Sequence, residues 1–303
     1  MRGFGGLIRR NMLVYFKDRA AVVFSLLSSI IIFMLYVLFL KDNYVDSIAD
    51  ALGSLQGMVD PKDTDALVNM ILLVGIIGCA MITVPYNCLM TIVSDREKNV
   101  DYDILATPLK RWQVIMGYFL AATFSAIIMS LILLVIGLGG LSLASDFHLT
   151  FGSVMFTVLI VIVGTISSSA FFMTIVMFFK SSAASGAFFG ILSAASGFVI
   201  GAYMPLSTFS DGVRVFCNLF PLSQVTMLLR NSMMNNIIDA IENSIGGLDN
   251  GQFGITIKNI FTFNAEIGGH TFSISEMMLY IIGATVIFCI LMVVLYNRNN
   301  KRK

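Results

Sequence analysis

The chain has 303 residues, of which 57% are hydrophobic and 12% charged, with a mean hydropathy of +0.87 and a formal net charge of +1. About a quarter of an ordinary soluble domain is charged, so this composition excludes a soluble globular fold and predicts an integral membrane protein. Four cysteines supply no disulfide framework, since Cys79, Cys88 and Cys289 fall within apolar runs and Cys217 stands alone.

Residues 1–20 precede any span. Phe4, Leu7, Ile8, Met12, Tyr15 and Phe16 recur there at helical spacing, with Arg9, Arg10 and Lys17 on other faces. That pattern predicts a basic amphipathic helix in the membrane interface, and the same charges serve as a topology-setting flank. A cleavable signal peptide is not expected, because the first long apolar run begins near Ala20, too far along and too long for an h-region.

Six apolar runs follow, near Ala21–Leu40, Ala66–Val93, Val114–Leu141, Ser153–Phe179, Ala183–Gly201 and Met277–Tyr296. Each is long enough to cross about 30 Å of hydrocarbon. With the N-terminus inside, the inner segments hold 14 of the 19 Lys and Arg residues, leaving Lys41, Lys62, Arg214, Arg230 and Lys258 outside. The positive-inside rule then predicts both termini in the cytoplasm of a cell-membrane protein. None of the six runs contains Asp, Glu, Lys, Arg or His. Ion-coupled carriers keep ionisable groups at membrane depth, so an ion-coupled carrier or channel stands as the weaker alternative. No phosphate-binding loop of the G-x-x-x-x-G-K-[ST] type is present. Energy for pumping would therefore come from another polypeptide through a cytoplasmic surface.

Only one inner loop is long enough for that contact, 94–112, the densest charge cluster between the termini. It holds Asp95, Arg96, Glu97, Lys98, Asp101, Asp103, Lys110 and Arg111. Ser94 or Asp95 is expected to cap a short helix running to Leu105, and Thr107–Pro108 to open the next helix as an N-cap/N1 pair. Lys180–Ser182 offers a much shorter inner turn.

Polar residues inside the spans are uncharged and clustered. Thr83, Pro85, Tyr86, Asn87 and Thr91 lie in the second, and Thr165, Ser167, Ser168 and Ser169 in the fourth. They either line a path for an amphipathic substrate or join helices by hydrogen bonds. Pro85 is expected to kink the helix and to free a carbonyl near Met81, tolerable only where neighbours or water satisfy it. The fifth span carries small residues on two faces, Ser182, Gly186, Gly190 and Ala194 on one, and Ser193, Gly197 and Gly201 on the other. Both faces predict close helix packing, within the chain or with another.

Residues 203–230 are too apolar for a free loop and are broken by Pro205, Gly212 and Pro221, which predicts a re-entrant helical hairpin. Two outer segments complete the chain. In 42–65, Tyr44, Val45, Ile48, Leu52 and Leu55 predict a short amphipathic helix. In 231–275, a helix is expected over Met233–Ile245 and a β-prone tail over Ile255–Ser275. These segments either cap an exit or decorate the surface. Ser273 and Glu276 have the spacing of a capping box at the start of the last span. No metal-ligand or nucleophile–base spacing accompanies His148 (beside Asp146) or His270 (beside Glu266), which disfavours a lipid-modifying enzyme.

The 94–112 loop resembles the first cytoplasmic loop of ABC-2 type permeases, the membrane subunits of ATP-driven exporters. Its Arg96-Glu97, Ile104-Leu105, Thr107-Pro108 and Arg111-Trp112 match the elements of that loop, while Asn99-Val100 stand where the family usually has Gly-Thr. Asn218, Pro221 and Arg230 match the re-entrant hairpin of the same family. The resemblance implies an all-α, six-span permease within a single transmembrane domain (1–303). It also implies a cytoplasmic ABC ATPase partner carrying ATP and Mg, with no cofactor, metal or catalytic group in this chain, and a second permease copy or related permease. Membrane lipid is an expected partner and nucleic acid is not. The resemblance further implies outward export, with Asp95, Arg96, Glu97, Lys98, Asp101 and Leu105 transmitting the ATPase stroke. Thr83, Tyr86, Asn87, Thr91 and Thr165 are the candidates for the substrate path.

Overall fold

The computed structural model describes residues 2–141 and 148–300. The chain opens with helix α1 (Arg2–Lys17), whose Leu7, Asn11 and Tyr15 form the buried stripe. Asp18 then caps α2 (Arg19–Ser25) by accepting from the Ala21 N–H at 3.0 Å. The first apolar run is not one straight helix, because it breaks at Leu26. It resumes as α3 (Leu27–Leu35), continues through a π-helical turn (Tyr36–Leu40) and runs into α4 (Lys41–Leu52). Tyr44, Ile48 and Leu52 are the buried side of α4, as their spacing predicts.

Helix α5 (Pro61–Glu97) is the longest. Its 37 residues reach roughly 55 Å, well beyond a bilayer core. Asp60 caps it and Pro61 sits in its first turn. It packs against α7, α11, α8, α9 and α3, so the rest of the bundle is arranged around it. A short helix α6 (Val100–Leu105) follows, then α7 (Arg111–Leu141), α8 (Phe151–Val176) and α9 (Ser182–Val199). Helix α10 (Asp211–Leu219) and helix α11 (Pro221–Ile245) meet at an 85° bend, with Phe220 extended and Pro221 in the first turn of α11. Helix α12 (Gln252–Ile260) and a two-residue hairpin, β1 (Glu266–Ile267) with β2 (His270–Thr271), lead to α13 (Ile274–Asn300).

Among the described residues, six helical stretches are long and apolar enough to cross a membrane. They are Leu27–Met58, α5, α7, α8, α9 and α13, with the bent α10–α11 pair beside them. The fold is therefore that of an all-α polytopic membrane protein. Ser273 and Glu276 do form the capping box of α13, with Ser273 N–H donating to Glu276 at 2.7 Å and Glu276 N–H to Ser273 Oγ at 3.4 Å.

Several local expectations need correction. Ser94 and Asp95 cap nothing, because they lie on the last turns of α5, which runs through to Glu97. Thr107–Pro108 do not open α7 either. The Thr107 hydroxyl turns back to the Ile104 carbonyl at 2.5 Å, and the helix starts at Arg111, where Gln113 reaches back to accept from the Lys110 N–H at 2.8 Å. The helix expected over Met233–Ile245 is the end of α11, which passes Arg230 unbroken. Residues 255–260 are helical rather than β, and among the described residues only four pair as strands. His148 pairs with Asp63 at 2.9 Å and His270 with Glu276 at 3.2 Å. Asp146 lies outside the described residues, as do the tail cations Lys301, Arg302 and Lys303.

Pro85 sits inside an uninterrupted α5. It has no N–H for the Met81 carbonyl, and Ser168 Oγ on α8 donates to that carbonyl at 2.5 Å instead. One proline thus converts an intrahelical hydrogen bond into a bond between two spans.

Candidate coupling site

The α5–α6 corner is built by a reversal at Asn99. The Lys98 N–H bonds back to the Ser94 carbonyl at 3.0 Å, and Asn99 adopts a left-handed conformation (φ 61°) before α6 begins. Asn is among the few non-glycine residues that visit this region readily. This explains physically how Asn99 stands where the resembling loops carry glycine.

Asp95 is 5% exposed and faces into the protein. Both guanidinium nitrogens of Arg10 on α1 donate to it, one at 2.8 Å, and the Tyr118 hydroxyl on α7 donates at 2.5 Å. The bond to Asp95 outweighs desolvation and raises the Arg10 pKa above its ordinary value, so Arg10 remains a cation. Gly117 lies beside this network, and a Cβ there would come within 2.7 Å of Leu7, so glycine permits α1 to approach α7. Arg96 is half-buried. It donates to Sδ of Met177, the residue that ends α8, at 2.9 Å and shares a small recess with Asp101, Tyr118 and Tyr296. Glu97 is exposed, and its carboxylate accepts from the Ser182 N–H at 2.9 Å, while Ser181 Oγ accepts from the Ala184 N–H. A carboxylate on the first free amide of a helix satisfies a donor and favours the dipole. Four helices, α1, α7, α8 and α9, are therefore tied to the last turn of α5 through Asp95, Arg96 and Glu97.

The six predicted coupling residues thus divide. Asp95, Arg96, Asp101 and Leu105 are buried or half-buried, and only Glu97 and Lys98 are exposed. The coupling set expected from the sequence leaves out Tyr102 (52% exposed), Asp103 and Trp112 (50% exposed), which present the outer surface of the corner, and Arg10, which anchors Asp95. Tyr102 and Asp103 take the outward face of α6 because Ile104 and Leu105 turn inward.

Of the five path candidates, Thr83, Tyr86, Thr91 and Thr165 are buried among helices and Asn87 is half-buried. Thr83 Oγ1 donates to the Ser25 carbonyl at 2.5 Å and Asn87 Nδ2 to the Ala21 carbonyl at 2.8 Å, so both brace the broken first span at its Leu26 break. The Tyr86 hydroxyl meets Ser185 Oγ at 3.0 Å within a cluster of Phe172, Phe188 and Phe189. Thr165 bonds to the Val161 carbonyl of its own helix at 2.8 Å, and Thr91 is buried.

In the α10–α11 region, Pro205 precedes a short 3-10 turn, and Asn218 Nδ2 donates to the Glu266 carbonyl at 2.7 Å. Arg230 is 4% exposed and donates to four carbonyls, those of Ile200 and Gly201 at 2.8 Å each, Phe261 at 2.7 Å and Thr262 at 3.0 Å. These carbonyls lie just past the C-termini of α9 and α12. Gly201 closes α9 in a Schellman turn at φ 67°, with its N–H on Phe198 and the Ala202 N–H on Gly197.

An all-α bundle of membrane-crossing helices with a braced polar corner at one end and a bent helix pair near the other defines a multi-pass membrane protein of the permease class. The profile described as "ABC-2 family transporter protein" matches residues 44–297, and the chain belongs to that family. It is a membrane permease subunit of an ABC transporter, a family that works with an ABC ATPase subunit. No curated protein matches the chain.

Proposed function

We propose that this permease exports an amphipathic, peptide, drug or lipid-linked substrate from the cytoplasm or inner leaflet, driven by an ATPase partner that binds ATP and Mg. The observation that carries the proposal is the triple bracing of the last turn of α5. Arg10–Asp95, Arg96–Met177 and Glu97–Ser182 link the corner to α1, α8 and α9, so force applied there reaches several spans at once. The exposed Glu97, Lys98, Tyr102 and Asp103 form the docking surface, and the buried Asp95, Arg96, Asp101 and Leu105 pass the movement inward. The Lys/Arg distribution supports a cytoplasmic corner and cytoplasmic termini. A second copy packs on the outward face of α9, where a Cβ on Gly190 would meet nothing within 4 Å and Ala194 is exposed, whereas the Ser193 face is already taken by Ser28 at 2.7 Å. The Thr83, Tyr86, Asn87, Thr91 and Thr165 cluster becomes a path only when the spans it joins separate.

The test is pull-down of the ATPase together with transport for Tyr102→Ala/Asp103→Lys. Losing an interface charge pair on one side costs about 2–5 kcal/mol, enough to weaken co-purification at least about tenfold. Wild-type binding and transport by this variant would remove the corner from the coupling pathway.

A further inference from the structure

Helix α10 divides two recesses of opposite character. Its apolar side carries Phe216, 64% exposed, and Leu219, and these wall a groove of about 670 Å³ whose other sides are Phe171 on α8 and Gly283, Ala284 and Phe288 on α13. A Cβ built on Gly283 would meet nothing within 4 Å, so the groove floor is open space. The Tyr280 hydroxyl donates to the Leu219 carbonyl at 2.6 Å, which fixes α10 against α13 and holds the groove walls apart. The groove opens along the exposed apolar face of α13, where Leu279, Val286 and Ile290 are more than half exposed, as they would be against hydrocarbon.

Arg214 and Asn218 lie on the opposite side of α10. They border a polar recess of about 330 Å³ that also contains Lys258, Glu266, Asn264 and Thr271. The recess offers Lys258, Arg214, which also pairs with Asp211 at 3.0 Å on its outer side, the Glu266 carboxylate and several uncharged donors. A helix is about 10–12 Å across with its side chains, so one amphipathic molecule can lie over α10 with its polar end in one recess and its apolar end in the other.

We infer that α10 is the saddle of a specific phospholipid site, occupied by a zwitterionic phospholipid of the surrounding bilayer. The phosphate sits on Arg214 and Lys258, the headgroup ammonium on Glu266, and one acyl chain fills the groove between Phe216 and Gly283. Two cations with a neighbouring carboxylate match a headgroup that carries a phosphate and an ammonium, and they match a purely anionic headgroup less well. The apolar groove supplies the chain with burial that the bilayer alone does not make specific. This inference rests on the membrane-embedded fold and is independent of the export reading, since the lipid is a resident of the site rather than cargo.

Lipid titration of the detergent-stripped, full-length permease, followed by native mass spectrometry, tests it with phosphatidylethanolamine and phosphatidylglycerol as probes. The expected result is one tightly held phosphatidylethanolamine per chain, bound in preference to phosphatidylglycerol. Arg214→Ala/Lys258→Ala should weaken it about tenfold or more through loss of charge-assisted bonds. Gly283→Leu should displace the chain, and Gly283→Ala, which fits the open floor, should retain it. The site is overturned if phosphatidylglycerol binds equally well, if no phosphatidylethanolamine is held above the bulk background, or if either the head-end double variant or Gly283→Leu binds like wild type. ATPase co-purification of the same samples is a separate readout, and its loss with lipid binding intact bears on the coupling proposal alone.

Discussion

Arg10 on α1 and Asp95 on the last turn of α5 are 85 residues apart in sequence and form a two-pronged ion pair, with Tyr118 donating a third hydrogen bond to the same carboxylate. The pair fixes the N-terminal helix to the helix around which the bundle is built. Asp95 is enclosed, whereas the Arg10 side chain is 37% exposed. Removing Arg10 strands a buried carboxylate, and removing Asp95 leaves a cation that still reaches water.

Arg10→Ala is therefore expected to cost about 2–3 kcal/mol, below the cost of breaking a fully enclosed pair because water screens one side. Asp95→Ala should cost less, and the double variant less than the sum of the two. Arg10→Lys should recover only part of the loss, since a point charge does not reproduce the forked contact. Denaturation midpoints of the four variants and the wild type in one detergent check this, and additive losses would show that the pair contributes no coupling energy.

The serine cluster of α8 supplies a contrast within three consecutive residues. Ser168 Oγ occupies the Met81 carbonyl left free by Pro85, while the buried hydroxyls of Ser167 and Ser169 have no hydrogen-bond partner among the described residues. Ser168→Ala should destabilise by about 1–3 kcal/mol, the cost of orphaning a buried acceptor. Ser169→Ala removes only an unpaired polar group and should be neutral or stabilising. Equal effects of the two changes in thermal unfolding would contradict the assigned bond.

Much of this architecture was legible in sequence because it depends on local signals. The apolar runs, the capping box at Ser273–Glu276 and the carbonyl freed by Pro85 all follow from neighbours a few residues apart. Other features depend on partners far along the chain. Asp95 reads as a surface charge in a polar loop, and only the approach of α1 and α7 turns it into a buried acceptor. The break at Leu26 has no proline or glycine to announce it, and the carbonyls of Ala21 and Ser25 around it bond to Asn87 and Thr83 on α5. Thr107–Pro108 has the composition of a helix start, yet the Gln113 side chain secures the start three residues later. Tyr102 and Asp103 emerge as the outward face once Ile104 and Leu105 are seen to turn inward.

The charge asymmetry predicts which end of the bundle faces the cytoplasm. A cysteine replacing Leu248, in the exposed turn between α11 and α12, should react with a membrane-impermeant maleimide in intact cells. A cysteine replacing the exposed Lys98 should react only after permeabilisation. The background should lack Cys79, Cys88, Cys217 and Cys289. The reverse labelling pattern would invert the orientation and place the α5–α6 corner out of reach of an ATPase.

Arg230 carries the most demanding prediction. Its guanidinium bonds four carbonyls from two chain segments, and among the described residues none of its hydrogen bonds goes to a carboxylate. The charge is balanced instead by the negative ends of α9 and α12, whose last carbonyls it collects. A cation held this way needs a planar fork, because a single ammonium cannot span carbonyls on both sides. Arg230→Met matches the apolar volume but leaves four buried acceptors without donors, which is expected to cost about 3–5 kcal/mol. Arg230→Lys should recover a minor part of that, with one of the two segments detached. The distinguishing measurement is amide hydrogen exchange of the two variants against wild type. Protection should fall first at 199–203 and 260–264, where the acceptors lie, while the centre of α5 keeps its protection. Uniform loss of protection across the bundle, or none at all, would refute the view that Arg230 ties the end of α9 to the end of α12.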